Sequence, residues 1–194
     1  MSEHWPVTLR SEDLILRPLR MRDRKRFLQV RIENKDWLNS WEATLPQVPG
    51  EDSSQKLPSF YDMVRWHSRE GRQGRSYSLA IWHINSQGKN LIGQITMGGV
   101  MYGAMRGAHI GYWIDRAYAN RGYTTQAVQA VTEFGFKSLK LHRIEINIRP
   151  ENMASIRVAE KAGYLFEGVR PRYLHIDGSW RDHVCFVKEN SQVI

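Results

Sequence analysis

The sequence contains a single cysteine, Cys185, and no apolar run long enough to cross a bilayer. One cysteine excludes an internal disulfide bond, and the apolar neighbours of Cys185 favour a small core side chain over a nucleophile. A membrane-spanning helix needs ~18 consecutive apolar residues. The first residues, Met1 to Pro6, show neither a basic start nor an apolar segment. We therefore expect no signal peptide, no membrane association and a cytoplasmic protein.

Several nucleotide and metal motifs are also missing. There is no Gly-x-Gly-x-x-Gly fingerprint and no Gly-x-x-x-x-Gly-Lys-Ser/Thr loop, which excludes two well-known phosphate-binding sites. The sequence shows no cysteine and histidine spacing typical of zinc and no aromatic-rich RNA-binding consensus. We predict no metal site and no dedicated nucleic-acid module.

Positive charge, in contrast, is abundant. The chain has 28 Lys and Arg against 20 Asp and Glu, a formal net charge of +8 and a pI of about 9.8. These residues either form solvated helix faces or attract an anionic partner such as RNA, an acidic protein or a phosphorylated cofactor. Much of the excess lies early in the chain, at Arg17, Arg20, Arg22, Arg24, Lys25, Arg26 and Arg31.

The length of 194 residues fits one domain over 1–194, and 41% hydrophobic residues can form a sizeable core. Apolar spacing predicts an N-terminal helical lobe at about residues 22–71. Its predicted helices cover about 23–32 and 57–70. Loops are predicted at 37–41 and at 46–54, the second because it is rich in Pro, Gly and Ser.

Alternating patterns predict about seven strands, which together form a mixed α/β fold. Short connections make most neighbouring strands antiparallel. A helix predicted from about 125 to 139 connects the strands at 108–114 and 143–148, which makes that pair parallel. The remaining extended segments are predicted at 14–18, 77–83, 91–97, 164–167, 172–176 and 180–188.

A short loop, 120–125, joins the strand at 108–114 to the following helix. Such a loop directs unpaired backbone N–H groups and the positive end of a helix dipole at one spot, which favours a phosphate or pyrophosphate. Gly122 has no Cβ, so a ligand could approach the backbone closely. An ordinary strand-to-helix turn explains the same residues, and the loop alone does not separate the two interpretations.

Two segments together resemble the GNAT superfamily of N-acetyltransferases. The pyrophosphate motif of that superfamily reads Gln/Arg-x-x-Gly-x-Gly/Ala. Here it corresponds to Ala119-Asn-Arg-Gly-Tyr-Thr124, which keeps the central glycine and differs at both ends. The second segment is Asn152-Met-Ala-Ser155, followed by Lys161-Ala-Gly163-Tyr164. The ending 173–183 and the stretch 37–42 are similar to the RimJ/RimL branch, which acetylates the N-termini of ribosomal proteins.

The resemblance implies a GNAT fold, with the parallel strand pair at the acetyl-CoA site and no metal. It also implies acetyl transfer to an amine, in this branch the α-amine of a ribosomal protein that begins with Ala or Ser. Ser155, three residues after Asn152 and on the same helix face, is the implied acid for the CoA thiolate. The implied cofactor-binding residues are Tyr112, Trp113, Ile114, Arg121, Gly122, Tyr123, Thr124, Thr125 and Asn152.

The chain departs from the family pattern at the acid and the base. Many relatives carry a tyrosine acid seven residues after the asparagine, where this chain has Ala159. The segment 169–176 offers no carboxylate base. Glu145 lies opposite the three isoleucines of its strand and could act through water, although a salt-bridged Glu145 explains the same position.

The acceptor site is less well determined by the sequence. Trp37, Trp41, Glu42 and Tyr173 are the predicted substrate-binding residues, although two neighbouring tryptophans also suit packing of the lobe. The basic surface could help the enzyme approach the ribosome or its RNA. Two alternatives stay open: an acetyltransferase for a small amine, and an acyl-CoA-binding or ribosome-assembly factor without catalysis.

Overall fold

A mixed sheet of eight strands organises the described part of the chain, which in this computed structural model covers residues 4–50, 58–86 and 88–193. The strands are β1 (Leu9–Ser11), β2 (Leu14–Arg17), β3 (Tyr77–Asn85), β4 (Gly88–Met101), β5 (Gly107–Ile114), β6 (Arg143–Ile148), β7 (Leu165–Ile176) and β8 (Ser179–Glu189). Their order across the sheet is β1-β2-β3-β4-β5-β6-β8-β7. All neighbours are antiparallel except β5 and β6, which confirms the predicted fold class.

The sheet has more and longer strands than the sequence predicted. β1 is an additional strand of three residues, too short to show a period. The predicted segments at 164–167 and 172–176 form one strand, β7, interrupted by two register shifts. β4 continues past the predicted end at 97 through Gly98 to Met101. Gly98 leaves room for the His109 ring, because a Cβ there would lie 2.9 Å from His109 Nε2.

Five helices cover the two faces of the sheet within the described residues. They are α1 (Arg24–Glu33), α2 (Lys35–Asn39), α3 (Phe60–Arg72), α4 (Tyr123–Lys137) and α5 (Met153–Lys161). The loop predicted at 37–41 is wrong for 37–39, which lie in α2, whereas 40 and 41 lie outside the helix. The predicted loop at 46–54 and the predicted helix start at Leu57 fall partly outside the described residues. No described helix is long and apolar enough to cross a membrane.

The opposite faces of the sheet carry separate buried clusters. α4 and α5 pack on one face, where Val128 and Val131 meet the isoleucines of β6. Gly135 permits this close approach, because a Cβ there would lie 2.7 Å from Ile144 Cδ1. α1 and α3 pack on the other face, with Phe27 and Phe60 in the second cluster.

The parallel pair β5–β6 is incomplete, and this shapes the centre of the molecule. The two strands pair only from Gly107–Arg143 to His109–Glu145. Beyond that point β5 continues to Ile114 beside β4, and β6 continues to Ile148 beside β8. An opening therefore forms in the sheet, with one unpaired strand edge on each side.

Candidate active site

The unpaired edge of β5 presents backbone groups to this opening. The N–H of Asp115 donates to the carbonyl of Ile92 at 2.7 Å, so odd-numbered residues here direct their backbone groups towards β4. The even-numbered Tyr112 and Ile114 direct theirs into the opening. An extended chain can bond to such an edge as a further strand. The pantetheine arm of CoA, which carries amides, suits this edge.

The backbone groups of Trp113 lie in the ladder with β4, where Trp113 pairs with Gln94. The ring is on the face covered by α1, where the guanidinium of Arg31 lies 5.2 Å from its centroid. Its Nε1 donates to Gln94 Oε1 at 3.4 Å. The strand register therefore directs the backbone groups of Trp113, one of the implied cofactor-binding residues, away from the opening.

A cavity of about 480 Å³ begins at this opening. It lies between the end of β5, helix α2, the loop before α4 and the first turns of α5. Most of the predicted cofactor residues meet here. Of the predicted site residues, the cavity is lined by Trp37, Trp41, Tyr112, Trp113, Ile114, Gly122, Tyr123, Thr124, Thr125, Asn152 and Ser155.

The loop before α4 has the backbone geometry that an anion site requires. Gly122 is the N-cap of α4 and has a φ of 84°, in the left-handed region. The first intrahelical bond runs from Gln126 N to Gly122 O at 3.0 Å. The N–H groups of 123–125 therefore have no acceptor within the helix. A Cβ on Gly122 would meet no atom within 4 Å, so the space in front of the glycine is open.

An aromatic cluster supports this loop from beneath. Tyr123 Oη lies 3.1 Å from His83 Nε2, and their ring centroids are 4.8 Å apart. Tyr118 packs on the same histidine, at 5.6 Å. The guanidinium of Arg121 lies 5.6 Å from the Tyr118 ring. Arg121 is not among the residues that line the cavity.

Asn152 and Ser155 are brought together at the start of α5. Asn152 is the N-cap, and its Oδ1 accepts from the backbone N–H of Ser155 at 3.1 Å. Its amide nitrogen keeps two donors, because the cap uses only the oxygen. Within the described residues the Ser155 hydroxyl has no hydrogen-bond partner. Both polar groups are thus free to meet a ligand in the cavity.

Tyr112 links β5 to this helix. Its hydroxyl donates to the backbone carbonyl of Ser155 at 3.3 Å. Burial raises the pKa of Tyr112 well above its ordinary value, which this hydrogen bond offsets only in part. The phenol therefore stays protonated, and its role is to hold α5 against the strand edge.

Two cations on α5 were not predicted from the sequence. Arg157 and Lys161 line the cavity on the same face of the helix as Met153. The signal was the i, i+4, i+8 spacing of these residues. Their positive charges suit the phosphates of CoA, which the sequence analysis had assigned to the loop before α4 alone.

A buried asparagine positions the segment that carries Trp37 and Trp41 beside the cavity. Asn34, at the end of α1, is 2% exposed. Its Oδ1 accepts from the N–H of Arg116, just after β5, at 2.8 Å. This bond places α2 beside the strand edge, where Trp37 Nε1 donates to Ile114 O at 3.1 Å. Trp41 stands at the rim, with the guanidinium of Arg149 5.1 Å from its ring.

Four predicted residues lie outside the cavity lining: Arg121, already described, and Glu42, Tyr173 and Glu145. Glu42 is bound by Arg31, and Tyr173 packs against Arg170 and His183. Glu145 is 8% exposed and is held by Arg143 at 3.0 Å and by Arg170 at 2.7 Å. Burial raises the pKa of Glu145, but these hydrogen bonds outweigh it and leave the pKa below its ordinary value. This geometry supports the salt-bridged interpretation of Glu145 over a base.

The missing tyrosine acid has a structural reason. Ala159 is 0% exposed and belongs to the cluster between α4, α5 and the sheet. A tyrosine at this position would need space that the core does not leave. Ser155, one turn earlier on the same face of α5, lies where that face reaches the cavity.

Replacing Asn152 with aspartate separates its two roles. Aspartate is as good an N-cap as asparagine, so the melting temperature should change little. The amide donors are lost and a negative charge is added, so we expect acetyl-CoA to bind about 10-fold more weakly. Isothermal titration calorimetry measures the affinity. An aspartate variant with wild-type affinity would show that Asn152 only caps the helix.

Comparisons with known proteins identify the family of this chain. Residues 13–165 match the family model of the acetyltransferase (GNAT) domain. A probable N-acetyltransferase of Bacillus subtilis, YjcK, is 30% identical over 175 residues, or 90% of this chain and 93% of that protein. The ribosomal protein uS5 alanine N-acetyltransferase of Escherichia coli is 29% identical over 184 residues, or 92% of this chain and 88% of that protein. Mycobacterium smegmatis RimJ, solved with CoA-disulfide, superposes with a TM-score of 0.82 at 32% identity and covers 100% of this chain and 92% of its own.

Proposed function

Because this chain belongs to the GNAT family and is an acetyl-CoA-dependent N-acetyltransferase, we propose that its acceptor is the N-terminal α-amine of a ribosomal protein that begins with alanine or serine. Two relatives support this acceptor by their names. One is the uS5 alanine acetyltransferase already described. The other, the ribosomal-protein-serine acetyltransferase of Escherichia coli, is 30% identical over 159 residues, or 81% of this chain and 82% of that protein.

The absence of a strong base from the cavity lining carries the proposal. Among the described residues, Glu151 is the one carboxylate that lines the cavity, and no histidine lines it. A backbone hydrogen bond, joined by the guanidinium of Arg149, holds the pKa of Glu151 below its ordinary value. A lysine amine, with a pKa of ~10.4, would need such a base, whereas an α-amine of pKa ~7.7–8.0 is partly neutral at pH 7.

The residues of the site then have distinct tasks. Acetyl-CoA supplies an acetyl thioester, which a neutral amine attacks to form an amide and release the CoA thiol. Tyr112 and Ile114 align the pantetheine arm through their backbone edge, and the N–H groups of 123–125 hold the pyrophosphate. Ser155 donates a proton to the departing sulfur and recovers one from water. The nitrogen becomes positively charged on attack and loses one proton to solvent. Because the amine attacks the thioester directly, no covalent bond forms between the chain and the acetyl group.

The acceptor proposal predicts strong selectivity for a free N-terminus. We expect a peptide that begins with Ala or Ser to react at least about 100-fold faster, in kcat/KM at pH 7, than a lysine side chain in the same peptide after the N-terminus is blocked. The basis is the larger neutral fraction of an α-amine, about 250-fold from the two ordinary pKa values. Thiol release measures both rates.

The matched peptides also identify the alternatives. The two peptides differ only in the blocking group, so length and charge pattern are nearly constant. Equal rates on both would contradict the α-amine proposal. Turnover confined to polyamines or other small amines would favour a small-amine acetyltransferase, and saturable acetyl-CoA binding without any turnover would favour a binding factor.

A further inference from the structure

Helices α1 and α3 form one continuous surface on the sheet face opposite α4. Phe27 of α1 and Phe60 of α3 stack with ring centroids 5.5 Å apart. Val30 and Val64 belong to the same buried cluster. Since both helices bury these sides, their outer sides face solvent together.

The outer sides of these helices are strongly positive. The α1–α3 basic surface consists of the exposed cations Arg22, Arg24, Lys25, Arg65, Arg69 and Arg72. The acids of the two helices neutralise only part of this charge. Glu70 is 8% exposed and is shared by Arg75 at 2.5 Å and Arg69 at 3.7 Å. Asp62 lies 3.7 Å from Arg65, and Glu33 is the one exposed acid of α1. The exposed cations therefore outnumber the exposed acids.

An exposed aromatic ring lies among these cations. Tyr61 is 44% exposed, and the guanidinium of Arg24 lies 5.7 Å from its ring centroid. Helical spacing puts Tyr61, Arg65 and Arg72 on one stripe of α3. The stripe from Arg65 to Arg72 is about 10 Å long at 1.5 Å per residue.

We propose that the α1–α3 basic surface binds single-stranded RNA. Guanidinium groups bind phosphate oxygens in a forked geometry, and tyrosine rings stack on unpaired bases. An acidic protein would use the positive charge but would leave Tyr61 without a stacking partner. The surface shares no residue with the lining of the acetyl-CoA cavity, so this binding does not depend on the acceptor of the acetyl group.

Fluorescence anisotropy with a labelled 12-nucleotide RNA of mixed sequence tests the proposal. The Arg65→Glu/Arg72→Glu variant should lose at least 10-fold in RNA affinity at about 0.1 M salt. The slope of log K against log salt should become shallower by about 1.4, because each lost phosphate contact on a single strand contributes about 0.7. Tyr61→Ala should lose about 5-fold or more with the same slope as the wild type.

A matched control reverses two cations on the opposite face. Lys137→Glu/Lys140→Glu makes the same change in net charge at the exposed C-terminal end of α4. It should keep RNA affinity within about twofold, and all variants should bind acetyl-CoA as the wild type does, which shows that they are folded. The proposal is overturned if the two double variants weaken RNA binding equally, or if a polyglutamate of similar charge binds as tightly as RNA. Absence of RNA binding by the wild-type protein would overturn it as well.

Discussion

Replacing Gly122 with valine is expected to weaken acetyl-CoA binding by about 100-fold. The glycine caps α4 at a φ of 84°, and the position of its missing Cβ is open space in front of the backbone N–H groups. A branched side chain there would fill the place that a pyrophosphate needs. Loss of charge-assisted hydrogen bonds worth about 2–3 kcal/mol corresponds to about 100-fold in affinity.

Backbone strain has to be separated from this steric effect. Gly103, in the turn between β4 and β5, has a φ of 72°, and a Cβ on it would likewise meet no atom within 4 Å. Gly103→Val therefore carries similar strain at a place remote from the cavity. Calorimetric titration with CoA should give a wild-type dissociation constant for Gly103→Val and a much larger one for Gly122→Val. Equal constants for the two variants would refute the phosphate site.

Removing the hydroxyl of Ser155 is expected to lower kcat by about 100-fold and to leave the affinity for acetyl-CoA nearly unchanged. This is the low end of general acid catalysis, because a thiolate of pKa ~8.5 already leaves readily. The substitution is clean. The cap from Asn152 and the bond from Tyr112 both go to backbone atoms of Ser155, so Ser155→Ala keeps them.

The matched variant for this prediction is Ser155→Thr, which keeps a hydroxyl. It should retain kcat within about threefold, provided that its acetyl-CoA affinity shows that the extra methyl group is accommodated. Steady-state kinetics and a direct binding measurement give the two quantities separately. An alanine variant with wild-type kcat would remove Ser155 from the acid role, and a loss confined to affinity would assign it to cofactor binding.

Most of the residues predicted to bind the cofactor line one cavity, and the sequence could bring them together because their segments are local. Gly122, Asn152 and Ser155 lie at the starts of two helices, where the caps and the glycine are readable from neighbouring residues. The parallel pairing of β5 and β6 followed from the long crossover. The spacing of Arg157 and Lys161 also predicts that they share one face of α5. Only the structure shows that this face lines the cavity.

The acceptor half depended on contacts between distant segments. α2 has five residues, too few to show helical periodicity, and Trp37 was predicted in a loop. Its position is set by Asn34, whose bond to Arg116 spans 82 residues of sequence. The environment of Glu145 is equally non-local, since Arg170 comes from β7. Residue types alone do not show which carboxylate is held by two arginines.

Because β5 and β6 pair only in part, we expect bound acetyl-CoA to stabilise the folded sheet. The sheet consists of two blocks, one formed by β1 to β5 and the other by β6, β8 and β7. The blocks share strand hydrogen bonds only over the short stretch from Gly107–Arg143 to His109–Glu145. The pantetheine arm of acetyl-CoA, bonded along the opening between β5 and β6, would connect the two blocks. Only the folded state offers this binding site. By mass action, acetyl-CoA at 100 times its dissociation constant adds about 2.7 kcal/mol to the free energy of unfolding. We therefore expect the free energy of unfolding of this enzyme to rise with the concentration of its own acetyl donor.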